Sequence, residues 1–422
     1  GIFSVGLEGE YRWKDSVQSD AETRIWVADG IANGLRPWFT KFAGTVSDRR
    51  WLKTVSEIYE WHHRAEPYLR NEASLAEVGM VYSQQTAAFY GGAAAQARVE
   101  DHTLGMYQAL IEARVPFDMV HDRCLDLDEI RPFKLLILPN IAALSDRQCE
   151  QLRQYVNAGG SLMATYETSL YDETGARRAD FGLADLFGAH YKGVIPGPLK
   201  NSYLWLERDA ARPEHPVLAG FEDTDRIING LHWLEVEPED PHAQPPLTLI
   251  PSYPDLPMEM VYPRVPRTNK AAVYLRELGS SRIAYLPWDA ERTFWEVLCV
   301  DHGRLLANIV SWTLNAESPV TVTGQGLIDV TVWRQQDSLT VHLVNLTNPM
   351  TMKGPFRELL TLSAQRVKIR LPAGTQVTGV RLLVSDQDPQ IEQSDGILWV
   401  TVPALLAHEV VAVDLDSQNE ME

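Results

Sequence analysis

Two carboxylates near the start of the chain have the spacing for joint chemistry. Ile2-Phe3-Ser4-Val5-Gly6-Leu7 is a short apolar run that ends in Glu8 and Glu10. In a strand, residues two apart face the same side, so both acids would project together. Glycoside hydrolysis is a reaction that needs two carboxyl groups about a scissile bond. Glu8 is the first candidate for such a catalytic carboxylate and Glu10 the second; the plainer alternative is two solvated loop acids. Trp13 and Trp38 suit a sugar platform, because an aromatic face stacks on the C–H face of a pyranose. They would equally suit a strand–helix core, where large aromatics dominate the energetics. Lys41 has a donor for a sugar hydroxyl, or is the polar end of a strand.

The elements around these residues read as strand, helix, strand, helix over 1–71. The second strand is Leu35-Arg36-Pro37-Trp38-Phe39-Thr40-Lys41-Phe42. Ala21–Ala32 and Asp48–Leu69 have helical patterning, with Asp20 read as the cap of the first helix. Two βα units cannot cover both faces of a parallel sheet, and a complete (β/α)₈ barrel takes about 250 residues. The first residue is Gly, not Met. The segment is therefore expected to be the last βα units of a TIM-barrel-like domain, in a C-terminal portion of a longer protein.

The 422 residues allow several domains. A formal net charge of −19 repels phosphate backbones and argues against nucleic acid as a partner. No apolar run approaches the ~18 residues that span a bilayer, so no membrane partner is expected. Cys124, Cys149 and Cys299 are three in number and far apart. That is neither a disulfide framework nor a zinc pattern, and it fits a reducing cytoplasm. Asn345-Leu346-Thr347 is a glycosylation sequon in a strand-like segment, read as a chance match.

A second domain is expected over 72–317. Val78–Ser83, Phe117–Val120, Lys134–Asn140, Ser161–Tyr166 and Arg282–Pro287 read as strands of an open parallel sheet, alternating with helices. Ser145 with Gln148 has capping-box spacing, and Gly159-Gly160 closes that helix. Asp301 is read as the cap of a last helix. The stretch 201–274, rich in Pro and Trp, reads as an elaboration. A third domain over 318–415 alternates apolar and polar residues, as in Ile328–Val332 and Leu339–Leu343, with no helix signal. This predicts an antiparallel β-sandwich, followed by a polar tail, 416–422. The fold class is thus multidomain α/β plus β: a partial barrel end, a flavodoxin- or amidotransferase-like open sheet, and a C-terminal sandwich.

Nucleophilic chemistry in the open-sheet domain is not supported by the sequence. A glutaminase needs a cysteine on a tight strand-to-helix turn, with a histidine and an acid behind it. The strand ends Thr165-Tyr166-Glu167-Thr168 instead. Gly91-Gly92-Ala93-Ala94-Ala95 lacks the spacing of a phosphate-binding fingerprint. His62 and His63 point to different faces of a helix. His102, His121, His215 and His302 are scattered. No metal and no cofactor are expected.

The order of barrel end, α/β domain and β domain resembles the C-terminal two thirds of family-42-type β-galactosidases. Gly6–Glu10 is similar to the end of that family's seventh barrel strand, which holds its nucleophilic glutamate; the resemblance gives that role to Glu8. Ile25–Gly34 resembles the helix before the eighth strand, and Trp38–Phe42 that strand. The family's Trp-Arg after the eighth strand is absent, as are its zinc-binding cysteines, and its general acid lies on a strand outside this chain. The resemblance implies a carbohydrate substrate, a trimer built through an amidotransferase-like domain, and no glycosidase activity in this chain alone. The alternative is a non-catalytic assembly or carbohydrate-binding protein. Tyr203, Trp205, Leu231, Trp233, Leu256, Met258 and Met260 are the expected apolar contact residues.

Overall fold

The computed structural model describes residues 1–7, 13–42, 45–209, 211, 213–254, 257–349 and 354–417. They form two compact units. The first joins 1–76, 114–116 and 318–422; the second holds 77–113 and 117–317.

In the first unit, strands β1 (Ile2–Ser4) and β2 (Trp38–Thr40) pair in parallel, with Ile2 opposite Trp38. Helix α1 (Asp20–Ala32) lies between them in sequence. Its cap is Ser19, not Asp20: the Ser19 hydroxyl accepts from Glu22 N at 3.1 Å. Asp20 opens the first turn instead and bonds Arg24 and Thr54. Helix α2 (Trp51–Ala65) begins three residues later than the sequence pattern suggests and ends in a 3₁₀ turn, Glu66–Tyr68. A two-residue strand, β3 (Ala73–Ser74), then joins the edge of a sheet by pairing with Ile328–Arg334.

That sheet is half of the sandwich. It runs Thr375–Leu382, His408–Ser417, Ser338–Asn345, Ile328–Arg334, β3. The other sheet contains Val320–Thr323, Gln365–Arg370, Ile397–Val402 and Gln390–Ser394. All strand pairs of both sheets are antiparallel. Leu339, Val341, Leu343, Val367, Ile369, Leu398 and Val400 meet between them.

The alternating polar residues of Ser338–Asn345 do not face water. The whole strand is buried, because Ala28, Ala32 and neighbouring residues of α1 pack beside Val344. The polar face serves the helix end. Thr331 Oγ and Trp333 Nε1 donate to the Ala32 carbonyl at 2.6 and 2.7 Å, satisfying an acceptor that a helix terminus leaves open. Asn33 donates to Asp329 at 3.2 Å, and the Asp29 carboxyl meets Asp329 there. The sequon asparagine, Asn345, is also buried, donating to the Leu360 and Leu406 carbonyls at 2.7 Å each.

The second unit is built on a six-stranded sheet. Its strands are β4 (Val78–Tyr82), β5 (Phe117–His121), β6 (Leu135–Leu138), β7 (Ser161–Thr165), β8 (Tyr274–Leu278) and β9 (Ser281–Leu286). The spatial order is β8-β9-β7-β6-β4-β5, all parallel except β8, which is antiparallel to β9. Taking the parallel strands in chain order gives 2-1-3-4-5, a doubly wound arrangement. Helices α3 (Asp101–Glu112), α4 (Asp146–Asn157), α5 (Ala290–Val297) and α6 (Val300–Leu314) follow strands as such a sheet requires. Every residue of β6 and β7 is buried, which explains their unbroken apolar sequences.

Helix α4 has the capping box read from sequence: Ser145 accepts from Gln148 N at 3.2 Å, and Gln148 Oε1 accepts from Ser145 N at 2.8 Å. Gly159 beyond it has φ +103°. Helix α6 is preceded by Cys299 as cap, and Asp301 falls inside its first turn. The 201–274 stretch forms one small antiparallel sheet, Tyr203–Leu206 with Arg226–Ile228 and Leu247–Ile250, and half of another, Trp233–Pro238 pairing with Ala189–Ile195 from before it. Trp233 is core, not surface: it stacks on Trp288 at 6.3 Å, both buried. Met258 and Met260 are exposed; Leu256 lies outside the described residues.

Candidate functional site

Glu8 and Glu10 lie outside the described residues. The elements that lead to them are described, and so are the other site residues. Trp13 and Trp38 are both well exposed, Trp38 at 62%. Lys41 is the reverse, with only 4% of its side chain exposed. Its ammonium donates to the Ser16 carbonyl and lies 3.8 Å from Asp15 Oδ1. It is held against Asp15 and Ser16, just before α1. A cavity of about 220 Å³ opens between β1 and α1, lined by Ile2, Phe3, Ser4, Gln18, Glu22 and Trp26 among others. Trp13, Trp38 and Lys41 do not line it. The outer surface of the strand pair is apolar: Ile2, Trp38 and Phe42 are all more than half exposed.

A second polar constellation lies at the carboxyl edge of the open sheet. Tyr166, directly after β7, has φ +48°. A bulky non-glycine residue rarely adopts that conformation, and such residues gather where surrounding structure imposes them. Asn140 after β6 and Ser169 in the same turn also have positive φ. The Tyr166 ring stacks on His102 at 5.9 Å and lies 6.5 Å from the His232 ring. Each imidazole is held by a buried carboxylate. His102 Nδ1 lies 2.7 Å from Glu291 Oε1, which also accepts from Thr165 Oγ at 2.5 Å. His232 Nδ1 lies 2.8 Å from Asp289 Oδ2. Asp289 and Glu291 are two residues apart, at the start of α5. Beside them, Glu167 accepts from the hydroxyls of Tyr90 and Tyr171.

This arrangement is not visible in the sequence, since no local pattern announces that Tyr166 takes the turn or that His102 reaches Glu291, 189 residues away. The only local signal is the pair of acids two apart after a buried strand. The thiols lie elsewhere. Cys149 is buried in α4, and burial pushes its thiol up to about 11. Cys124 follows β5. Among the described residues, no group of three or more His, Cys, Asp and Glu side chains is placed to hold a metal ion. No helix among them is long and apolar enough to cross a membrane.

Residues 76–200 match the family model of the β-galactosidase trimerisation domain. Over these residues the chain resembles the trimerisation domain of family-42 β-galactosidases. No curated protein matches it. Solved structures with the same fold include α-L-fucosidase isoenzyme 2 from Paenibacillus thiaminolyticus, at 18% identity and a TM-score of 0.75 over 99% of this chain and 60% of that one. The β-galactosidase from Bacillus circulans sp. alkalophilus matches at 13% identity and 0.66, over 98% and 55%. That of Rahnella sp. R3 matches at 14% and 0.60, over 94% and 52%. At such identities the likeness concerns the fold. The chain spans little more than half the length of these structures.

Proposed function

We propose that this chain is the C-terminal portion of a glycoside-hydrolase-like protein of carbohydrate catabolism. In this reading 1–71 are the last βα units of a TIM-barrel-like domain. Residues 72–317 are an amidotransferase-like oligomerisation domain without its nucleophile, 318–415 the β-sandwich and 416–422 a tail. The observation that carries the reading is the parallel β1–β2 pair. Two parallel strands with an exposed apolar outer row are a fragment of a larger parallel sheet, since all-parallel sheets are covered on both faces. The relatives' names, β-galactosidase and α-L-fucosidase, supply the substrate class, an uncharged glycoside. Glu8 is the candidate nucleophile, with Glu10 the second candidate. Trp13 and Trp38 offer exposed ring faces for the sugar, and Lys41 is held against Asp15 and Ser16 just before α1. The second carboxylate of the pair comes from a strand outside this chain. The compartment in this reading is the cytoplasm.

The test uses the 422-residue chain beside a version extended upstream by its own reading frame. The chain alone should not turn over aryl β-galactosides or aryl α-L-fucosides. The extended protein should cleave one of them, and Glu8→Gln in it should lower kcat by at least about a thousandfold. Turnover by the chain alone, lost in Glu8→Gln, would overturn the fragment reading. An extended protein that cleaves neither would favour the alternative, a non-catalytic assembly or carbohydrate-binding protein.

The trimer is a separate expectation, drawn from the match to a trimerisation domain and from exposed Met258 and Met260. Light scattering at micromolar concentration should give three times the chain mass of 47.5 kDa. A mass that stays at that of one chain on concentration would rule it out.

A further inference from the structure

We propose that the carboxyl edge of the open sheet is a second ligand site. Its ligand is an uncharged polyhydroxylated small molecule of the monosaccharide class, recognised by the Tyr166 hydroxyl, His232 Nε2 and the Glu167 carboxylate. Doubly wound sheets bind ligands outside the carboxyl ends of their strands, and Tyr166, Asn140 and Asp289 all stand there. The proposal is independent of the glycosidase reading, because every residue in it belongs to the second unit.

Four observations converge on this edge. The first is the enforced backbone at Asn140, Tyr166 and Ser169. The second is the flanking of one phenol by two imidazoles, each oriented by its own carboxylate. A carboxylate on Nδ1 fixes the imidazole's orientation and leaves Nε2 for a ligand. The His232 side chain is 41% exposed. The third is Glu291. It is fully buried, yet its Oε2 has no hydrogen-bond partner among the described residues, and buried polar atoms without partners are uncommon. The fourth is the segment that follows β4. Two π-helical turns, Thr86–Gly91 and Gln96–Glu100, bracket Gly92 and three alanines. Such turns are rare and recur at functional sites. The segment is fastened to the edge by two hydrogen bonds, Asn140 Nδ2 to the Arg98 carbonyl at 2.8 Å and Arg292 Nε to the Ala97 carbonyl at 3.1 Å, and is closed on itself by Arg98 donating to the Tyr90 carbonyl at 2.9 Å.

The chemistry of the edge selects the ligand class. Each acid has a basic neighbour. Asp289 has His232 and Arg292, at 2.8 and 3.2 Å, and Glu291 has His102. Glu167 lies in the field of Arg98, whose guanidinium sits 3.9 Å from the Tyr90 ring centre. Arg98 and Arg292 sit among the three carboxylates, so the edge presents no unpaired positive field for a phosphate. Burial, together with the nearby Glu167, drives the Tyr166 phenol far above its ordinary range, so it acts as a hydrogen-bond donor. Its oxygen has no hydrogen-bond partner among the described residues. A donor, an imidazole nitrogen, a carboxylate and the rings of Tyr166 and Tyr171 are the groups that hold a sugar's hydroxyls and its C–H face.

The experiment titrates the 422-residue chain with D-galactose, L-fucose and, as a charged comparison, L-glutamine, followed by ligand-observed NMR and calorimetry. One of the two sugars should bind in the millimolar range or tighter. Tyr166→Phe keeps the ring and should weaken binding at least about tenfold without moving the thermal midpoint. His232→Ala, on a half-exposed side chain, should do the same and decides the matter if Tyr166→Phe does not fold. Ile391→Ala, on an exposed strand of the sandwich, should leave binding unchanged. The proposal is overturned if neither sugar binds, if both edge variants bind as the parent does, or if Ile391→Ala abolishes binding. It is equally overturned if glutamine binds in place of the sugars.

Discussion

Gly105→Ala should destabilise the open-sheet unit by about 3 kcal/mol or more, although alanine is the better helix former. Gly105 sits in the middle of α3, where alanine normally gains about 1 kcal/mol over glycine. Here a Cβ would stand 1.9 Å from the Glu291 carbonyl oxygen and 2.6 Å from its carbon. Both atoms are backbone of α5, so no side chain can rotate away. The helices must part by more than an ångström, and overpacking of this kind costs about 1–3 kcal/mol or more. The same displacement would pull His102, one turn earlier, off the Glu291 carboxylate. Chemical denaturation should therefore show a lower midpoint, and NMR should show the His102 ring resonance moving. A variant as stable as the parent would mean that α3 and α5 do not approach so closely.

The other large effect is a pair of opposed pH dependences in the first unit. Burial pushes His342 down to about 3 and His408 down to about 4. Both His408 ring nitrogens and His342 Nε2 are buried without hydrogen-bond partners among the described residues. Folded, these rings stay neutral; unfolded, they take protons below about pH 6.5. Their stability is whole above that pH and drains away as pH falls toward 4 and then 3, by several kcal/mol. Asp29 acts the other way. Burial first, and Asp329 beside it, raise its carboxyl to about 7. The folded chain then keeps a proton that the unfolded chain has released. That contribution is present at pH 4 and is lost as pH rises to about 7. Folded and unfolded chains differ roughly a thousandfold in their affinity for this proton. Each tenfold is worth about 1.36 kcal/mol, so the loss is about 4 kcal/mol. Asp29→Asn mimics the protonated acid. It should be more stable than the parent at pH 8 by a few kcal/mol, with the advantage gone near pH 4. His342→Leu with His408→Phe should flatten the acid side. Denaturation at pH 4, 6 and 8 separates the two. An Asp29→Asn advantage that persists at pH 4 would show that the carboxyl is not raised.

The regular parts of the fold are legible where local physics decides them. The aliphatic run of β6, the Ser145–Gln148 box and the alternation of Leu339, Val341 and Leu343 each name their element. What escapes is decided by distant residues. Thr340 and His342 alternate like solvent-facing positions, but α1, some 300 residues earlier, covers them. Trp233 reads as surplus surface because its partner Trp288 lies far along the chain. At the sites, the turn at Tyr166 is legible but holds no cysteine; its backbone angle and its two histidines belong to tertiary structure. The paired acids Glu8 and Glu10 remain a reading of sequence spacing.

The discontinuity of the first unit sets an order of events during synthesis. Residues 77–317, apart from 114–116, make a nearly unbroken unit and can close as they leave the ribosome. The α1 face that packs on the sandwich cannot, since those strands are made about 300 residues later. At about 5–20 residues per second, the α1 face bearing Ile25 and Ile31 waits tens of seconds for its partners. During that interval it is an apolar helix on a nascent chain, the kind of surface that chaperones bind. Slowing translation lengthens the wait without helping the fold, so yield in the cell should depend on holdase supply more than on the stability of the finished protein.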